Sequence, residues 1–211
     1  MCLLCLALLP RLMSGPVQGS RLHVGDKWSA DRIVRYVSAA ADIDLQDDDH
    51  FEYVVENTAQ GLDIRVSRTQ TGTHLANGTF VPATEGEPEQ WLLSVSADGQ
   101  LVATKQPQET LERILSRIVM AAWNGPNAGL ELPLIKVKAV SPVREKITYD
   151  ETLARGQTKI EGFATLDPDT RRPLAISLTG EKVPIPGGSD IVSIRVEYTV
   201  KPKSGSKLGR Q

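Results

Sequence analysis

The chain has 211 residues, a formal net charge of −2 and an aromatic content of 5%. A near-neutral chain lacks the basic footprint of nucleic-acid-binding proteins, and so few aromatic residues offer little stacking surface for single strands. We therefore expect no nucleic-acid partner, and a chain of this length can bury a core without disulfide bonds.

The first 19 residues have the pattern of a secretory signal. Met1–Leu9 are almost all apolar, and the small residues further on suit cleavage after Gly19. No Lys or Arg precedes the apolar run, so either the true start lies upstream or the signal is a poor one. The alternatives are an apolar first helix or strand of a cytosolic protein and, if the start is misassigned, lipidation at Cys5. The run is about half as long as a transmembrane helix requires, so we expect no transmembrane span.

Both cysteines, Cys2 and Cys5, lie inside this signal-like segment. A mature chain that begins at Ser20 is therefore cysteine-free, which excludes disulfides, thiolate nucleophiles and Cys-ligated metals. We expect an exported protein, periplasmic or extracellular, that folds without covalent cross-links.

Short alternating segments separated by turn residues then predict antiparallel strands. Residues 28–37 form a first predicted strand, and residues 51–55 and 62–66 form a hairpin. Residues 91–104 predict a second hairpin around Asp98-Gly99, the preferred pair for a two-residue turn. That turn places Val95 opposite Val102 and Leu93 opposite Thr104.

One helix is predicted near residues 107–124. Pro107 suits a first helical turn, and Asn124-Gly125-Pro126 suits a helix end. Glu112, Arg113, Ser116 and Arg117 lie outside a single apolar stripe. The stripe consists of Leu111, Ile114, Leu115, Ile118, Val119 and Ala122. The favoured interpretation is that this stripe packs on the sheet, and the alternative is that it docks a partner or a membrane surface.

The second half returns to strand patterns. The predicted strands are residues 134–140, 146–153, 158–166, 174–178 and 191–200. Asp167-Pro168-Asp169 predicts a turn, and the tail 201–211, which has no apolar face, is expected to be disordered.

These elements predict an α+β fold that is mainly antiparallel β, a curved or part-closed sheet with one covering helix. We expect residues 20–200 to form a single β-rich domain. Two β-subdomains separated by the helix are the alternative.

An acidic cluster is the most conspicuous group of candidate ligands. Asp42, Asp44, Asp47, Asp48 and Asp49 supply the carboxylate oxygens that calcium prefers, which makes them weak candidates for a calcium site. The spacing of a calcium-binding EF-hand loop is absent, and the favoured interpretation is a solvated loop between strands.

No catalytic or cofactor-binding residues are predicted. The three histidines, His23, His50 and His74, do not share a predicted element at metal-ligand spacing. No nucleophile elbow is present, and the glycine-rich stretch 184–188 lacks the lysine of a phosphate loop. A hydrolase-type site assembled from scattered Asp, Glu, His and Ser stays open as an alternative.

Trp28, Trp91 and Trp123 are the largest aromatic residues. They are candidates for lining an apolar ligand pocket between helix and sheet. Ordinary anchoring of the core explains them equally simply and is favoured.

Two short motifs carry a resemblance. His23-Val24-Gly25-Asp26-Lys27-Trp28 and the segment 162–178 (GFATLDPDTRRPLAISL) resemble uncharacterised exported bacterial β-rich proteins. Those proteins often carry a second Gly-Asp-x-Trp near the middle, where this chain has residues 132–137 (LPLIKV). The resemblance implies an envelope-associated β protein of unassigned function and transfers no catalytic residue.

The sequence therefore favours a non-enzymatic exported bacterial protein that binds an apolar small ligand or an envelope protein partner. The scattered hydrolase site is the alternative, and no cofactor is expected with either.

Overall fold

The structure, a computed structural model, describes residues 21–37, 43–58, 61–84, 86–96, 101–105, 110–125, 134–153, 156–184 and 191–201. Within these residues the elements are, in chain order, β1 (Lys27–Val37), β2 (Ile43–Thr58), β3 (Gly61–Leu75), β4 (Phe80–Pro82), β5 (Glu89–Ser96), β6 (Leu101–Lys105), α1 (Thr110–Asn124), β7 (Ile135–Ser141), β8 (Arg144–Leu153), β9 (Gly156–Leu166), β10 (Pro173–Pro184) and β11 (Ile191–Lys201).

All of these strands belong to one antiparallel sheet. Its order is β6-β5-β3-β2-β1-β11-β10-β9-β8-β7, and the short β4 pairs with the end of β3. The first and last strands pair at the centre, from Ser29 opposite Lys201 to Val37 opposite Ser193. The sheet is not closed, so the predicted α+β class, with a part-closed antiparallel sheet and one helix, is confirmed.

The sheet curves strongly around α1. Both ends of the helix lie over the central strand β1, since Glu112 binds Arg32 and Trp123 stacks on Trp28. The helix also contacts β7, which is five strands away from β1. In a flat sheet five strand spacings would separate β7 from β1 by about 24 Å, roughly twice the width of a helix.

The inner face of this curved sheet and the helix form the core. Alternate residues of the central strands point inward, for example Ala30 and Val34 of β1 and Ile194 and Val196 of β11, each 2% exposed or less. Strand alternation thus gives β11 its predicted inward face.

The N-terminal strand predictions are confirmed, with one change of register. The hairpin of β2 and β3 extends well beyond residues 51–66. In the β5–β6 hairpin, Leu92 pairs with Lys105, and an irregularity between Leu92 and Leu93 shifts the pairing that follows. The predicted partners of Val95 and Leu93 are therefore wrong: Val95 pairs with Leu101 and Leu93 with Ala103. Alternation cannot reveal the extra residue of a bulge. Asp98-Gly99 lies outside the described residues.

The helix prediction is confirmed in position, but its outer face is wrong in part. The described helix begins at Thr110, and Pro107 lies outside the described residues. The apolar stripe is buried against the sheet, yet Glu112 and Ser116 are buried as well, at 3% and 8% exposure. Because the sheet wraps around the helix, positions beside the stripe also face protein.

The C-terminal strand predictions are confirmed with longer strands. Asp167 forms the predicted turn, since its side chain accepts hydrogen bonds from the backbone N–H groups of Asp169 and Thr170. Residues 1–20, with both cysteines and the signal-like segment, and 202–211, nearly all of the tail, lie outside the described part of the chain.

An inward-facing ion pair between Arg21 and Glu145 anchors the start of the described chain. The Arg21 guanidinium donates to Glu145 of β8 at 3.0 and 2.5 Å and to the carbonyl oxygen of Ala122 at 3.1 Å. A cation at the carboxyl end of a helix is favourable because it complements the helix dipole.

Among the described residues, no helix has both the length and the apolar character to cross a membrane.

Candidate binding site

Four charged side chains meet at the amino-terminal end of α1, and we call them the buried charge cluster. They are Arg32 of β1, Asp49 of β2, Arg68 of β3 and Glu112 of α1. Their side chains are 3%, 0%, 15% and 4% exposed, respectively. Arg68 is therefore the member that reaches furthest toward solvent.

Arginine N–H groups contact every carboxylate oxygen of this cluster. Arg32 donates to Asp49 Oδ2 at 3.1 and 2.7 Å and to the two oxygens of Glu112 at 3.0 and 2.7 Å. Arg68 donates to Asp49 Oδ1 at 2.9 Å and lies 3.7 Å from Glu112 Oε2. Paired charges of this kind offset the cost of removing ions from water.

The cluster keeps both arginines charged. Burial alone would lower the pKa of Arg32, but the carboxylates of Glu112 and Asp49 raise it well above its ordinary value. For Arg68 the same balance, with Asp49 as the stronger partner, raises the pKa. The cluster thus joins two charged guanidinium groups to two carboxyl groups in one buried arrangement.

Strand alternation explains why these residues meet. Arg32 continues the inward row of Ala30 and Val34 on β1, and Asp49 continues the inward row of Phe51 on β2. The signal was present in the sequence, because Arg32 occupies an inward position of a predicted strand. The cluster was nevertheless not predicted, because the run of aspartates in residues 42–50 is typical of a loop and Glu112 falls outside the apolar stripe of the helix.

A small cavity and a larger cleft adjoin the cluster. The cavity, of about 120 Å³, is lined by the cluster and by Tyr36, Asp47, Gln70 and Leu115 among others. The cleft, of about 870 Å³, shares Arg68 and Gln70 with the cavity as wall residues. The cleft therefore leads from solvent toward the buried charges.

Two arms of the chain form the walls of the cleft. One wall is β3, which contributes Arg68, Thr69, Gln70 and Thr73. The other wall is β4 and the segment that leads into β5, which contributes Val81, Pro82, Ala83, Thr84, Gly86, Glu87, Pro88 and Glu89. β4 pairs with residues 72–74 and β5 with residues 61–68 of β3, so the cleft residues Thr69 and Gln70 lie between these two pairings.

The predicted tryptophan pocket residues lie in the core. Trp28, Trp91 and Trp123 are 7%, 2% and 3% exposed. Trp28 stacks on Trp123 and Tyr53 with ring centroids 4.1 and 4.7 Å apart, and Trp91 meets the edge of Phe51. The structure brings Trp28 and Trp123 together as packed rings, and none of the three lines the cleft or the cavity.

Among the calcium candidates, the described side chains of Asp47, Asp48 and Asp49 do not converge. Asp42 lies outside the described residues, and Asp44 to Asp49 belong to strand β2, so their interpretation as a solvated loop is wrong. Asp47 and Asp49 lie on the inner side, whereas Asp48 approaches His74 at 3.4 Å on the other side. The described residues contain no group of three or more His, Cys, Asp or Glu placed to hold a metal ion.

Each histidine has an aspartate beside it, at three separate places. His50 Nδ1 lies 2.8 Å from Asp31 Oδ1, His74 lies 3.4 Å from Asp48, and His23 lies 3.6 Å from Asp26. Hydrogen bonds from Lys201 and His50 outweigh partial burial and lower the pKa of Asp31. These pairs are partly exposed and lie outside the cleft.

Comparisons with protein-family models and with curated proteins found no match to this sequence. The resemblance to uncharacterised exported bacterial β-rich proteins therefore stays a prediction.

Proposed function

We propose that this chain is a non-enzymatic binding protein and that its cleft holds the ligand or partner. The single observation that carries the proposal is the position of Arg68, which joins the wall of an open cleft to a buried, fully paired charge cluster. A side chain held in this way presents a fixed surface without reordering when a ligand arrives.

The size and support of the cleft favour this function. Its volume of about 870 Å³ lies within the range of ordinary ligand sites. One wall of the cleft, β3, pairs with β2 from Gly61 to Leu75, so this wall belongs to the sheet rather than to a free loop. Thr and Gln side chains supply hydrogen-bonding groups beside the apolar surface of Val81 and Pro82.

The proposed ligand binds in the cleft rather than in the space between helix and sheet. Packed tryptophan and tyrosine rings fill that space near the end of α1, which favours the core interpretation of Trp28 and Trp123.

For the hydrolase alternative, the charge cluster does bring two carboxylates together. Because arginine occupies all four of their oxygens, they are suited to holding structure rather than to transferring protons.

A fragment screen tests the proposed function. Small fragments of mixed charge are titrated into the isotope-labelled full chain, and shifted backbone amide signals are mapped by NMR. We expect hits to shift signals of Arg68, Gln70, Thr84 and Glu89, and Ala83→Trp, which fills the cleft, to remove these shifts. Ala139→Trp on exposed β7 is the matched control. Hits that map elsewhere, or that persist in Ala83→Trp, contradict the proposal.

We also propose that the protein acts outside the cytoplasm, on the strength of the signal-like segment. Expression with its own N-terminus, followed by sequencing of the mature end, tests this part separately. We expect the mature chain to begin at Ser20. Recovery of an intact Met1 in the cytoplasm contradicts export and leaves the binding function standing.

A further inference from the structure

We infer that the cleft selects an extended, basic segment of a partner protein, in which Lys or Arg stands two positions from an apolar residue. The inference rests on the proposed function, because it names the partner of the same cleft. Two independent features carry it: the charge of the cleft and the apolar surface beside it.

The cleft and the adjoining cavity carry excess negative charge. Among the described residues, their walls hold five carboxylates, those of Asp47, Asp49, Glu87, Glu89 and Glu112. Against these stand two guanidinium groups, Arg32 and Arg68, which leaves an excess of three negative charges. A concave site lined by one sign of charge concentrates ligands of the opposite sign.

The distribution of these charges shows where a cation binds. Arg68 is committed to Asp49, at 2.9 Å, and reaches Glu89 only at 3.4 Å. Glu87 and Glu89 are exposed at the start of β5 and just before it, and Glu89, whose side chain is 45% exposed, is the partner of Arg68 in the β3–β5 pairing. A lysine or arginine that enters the cleft therefore meets these two carboxylates first, whereas an acidic ligand meets an unfavourable field.

The apolar surface favours a polypeptide over a small organic cation. Val81 lines the cleft at 46% exposure, and Leu75, on the same hairpin, is 42% exposed. Side chains of an extended chain alternate in direction at about 3.3 Å per residue. Because Val81 lies on the same wall as Glu87 and Glu89, a segment with a basic and an apolar residue two positions apart directs both side chains to that wall.

Peptide titration tests the inference. The probes are the capped pentapeptides acetyl-Lys-Gly-Val-Gly-Lys-amide and acetyl-Glu-Gly-Val-Gly-Glu-amide, with 1,5-diaminopentane as the small-cation probe. Each is titrated into the isotope-labelled full chain and into two variants, E87Q/E89Q and the control E52Q. Glu52 is exposed on β2 outside the cleft, so E52Q makes a charge change at a remote position.

We expect the lysine peptide to shift signals of the cleft and to bind more weakly as salt is raised. In E87Q/E89Q its dissociation constant should rise about three- to tenfold, as loss of two exposed charge contacts predicts, and E52Q should leave it unchanged. Thermal unfolding verifies that both variants remain folded.

Four outcomes overturn the inference. Equal or tighter binding of the glutamate peptide in the cleft removes the charge argument but leaves the binding function intact. Equal binding of 1,5-diaminopentane removes the choice of a polypeptide. Shifts that map outside the cleft contradict it, as does the absence of any shift, and the fragment screen then decides separately whether the cleft binds anything.

Discussion

Arg32 and Glu112 join the centre of the sheet to the first turn of the helix. The guanidinium group of Arg32 donates to both carboxylate oxygens of Glu112, at 3.0 and 2.7 Å, and both side chains are at least 96% buried. Glu112 also lies near the positive end of the helix dipole, where a carboxylate is favourable. The pair therefore positions the start of α1 over β1 and, through Arg68, fixes the wall of the cleft.

Removal of Glu112 should be strongly destabilising. In Glu112→Ala, Arg32 loses one of its two carboxylate partners and shares the other, Asp49, with Arg68, which leaves its buried positive charge under-compensated. We expect the free energy of unfolding to fall by about 3 to 5 kcal/mol, measured by urea denaturation. Glu197→Gln, which breaks an exposed pair with Arg35, should change it by less than about 1 kcal/mol.

A double variant separates charge from packing. R32M/E112M removes one charge of each sign and leaves the Asp49–Arg68 pair balanced. It should therefore be less destabilised than Glu112→Ala, because an apolar pair can replace a buried ion pair at little cost. A double variant as unstable as the single one would show that the ion pair itself, rather than the unpaired charge, determines stability.

The tyrosines predict the behaviour of the protein at high pH. Burial raises the pKa of all four, Tyr36, Tyr53, Tyr149 and Tyr198, and nearby carboxylates reinforce this for Tyr36 and Tyr149. The folded state thus keeps phenols neutral at a pH where the unfolded chain ionises, about pH 10. Stability should be unaffected by tyrosine below that pH and should fall as pH rises above it.

Spectrophotometric titration checks this prediction. We expect phenolate absorbance to appear together with loss of the folded circular dichroism signal, whereas the chain in urea should titrate near pH 10 without a linked transition. Phenolate absorbance near pH 10 in a protein that is still folded would contradict the prediction.

Most of the fold could be predicted from alternation and turn residues. The pattern of β11 from Val192 to Val200 predicted its inner face correctly, because strand side chains alternate strictly. Pairing of β1 with β11 could not be predicted, since it joins residues more than 150 positions apart. The irregularity at Leu92 was also beyond reach, because a bulge leaves the apolar pattern unchanged.

The candidate site was harder to predict because its residues look ordinary one by one. Asp49 is one of several neighbouring aspartates, and Glu112 is one acid in the first turn of a helix. Their pairing with Arg32 follows only once β1, β2 and α1 are placed together. Conversely, Trp28, Trp91 and Trp123 are candidates for a ligand pocket in the sequence, although the size of tryptophan already predicts burial in a core.

Gly162 should be essential to the pairing of β9 with β10. A Cβ atom at this position would lie 1.9 Å from the carbonyl oxygen of Ser177 and 2.8 Å from the Cα of Leu178. Backbone atoms cannot yield as a flexible side chain does, so Gly162→Ala should separate the two strands locally. We expect a lower melting temperature and faster amide exchange in residues 160–164 and 176–180.

Gly86→Ala is the matched control for that variant. A Cβ atom there would have its nearest neighbour, the carbonyl oxygen of Thr84, at 3.8 Å, which is ordinary contact. Its melting temperature should stay close to that of the unchanged protein. Equal melting temperatures for the two variants would contradict the close approach of β9 and β10.

Trp123 should behave as a core anchor. Trp123→Ala removes the ring that stacks on Trp28 at 4.1 Å, and a cavity on this scale should lower the free energy of unfolding by about 3 to 5 kcal/mol. Trp123→Phe should cost less, because it keeps most of the contact and removes an indole N–H that has no hydrogen-bond partner within the described structure. Urea denaturation gives both values, and acrylamide should quench tryptophan fluorescence weakly in the folded protein and strongly in urea. Strong quenching of the folded protein, or a neutral Trp123→Ala, would instead place this side chain in a solvent-accessible pocket.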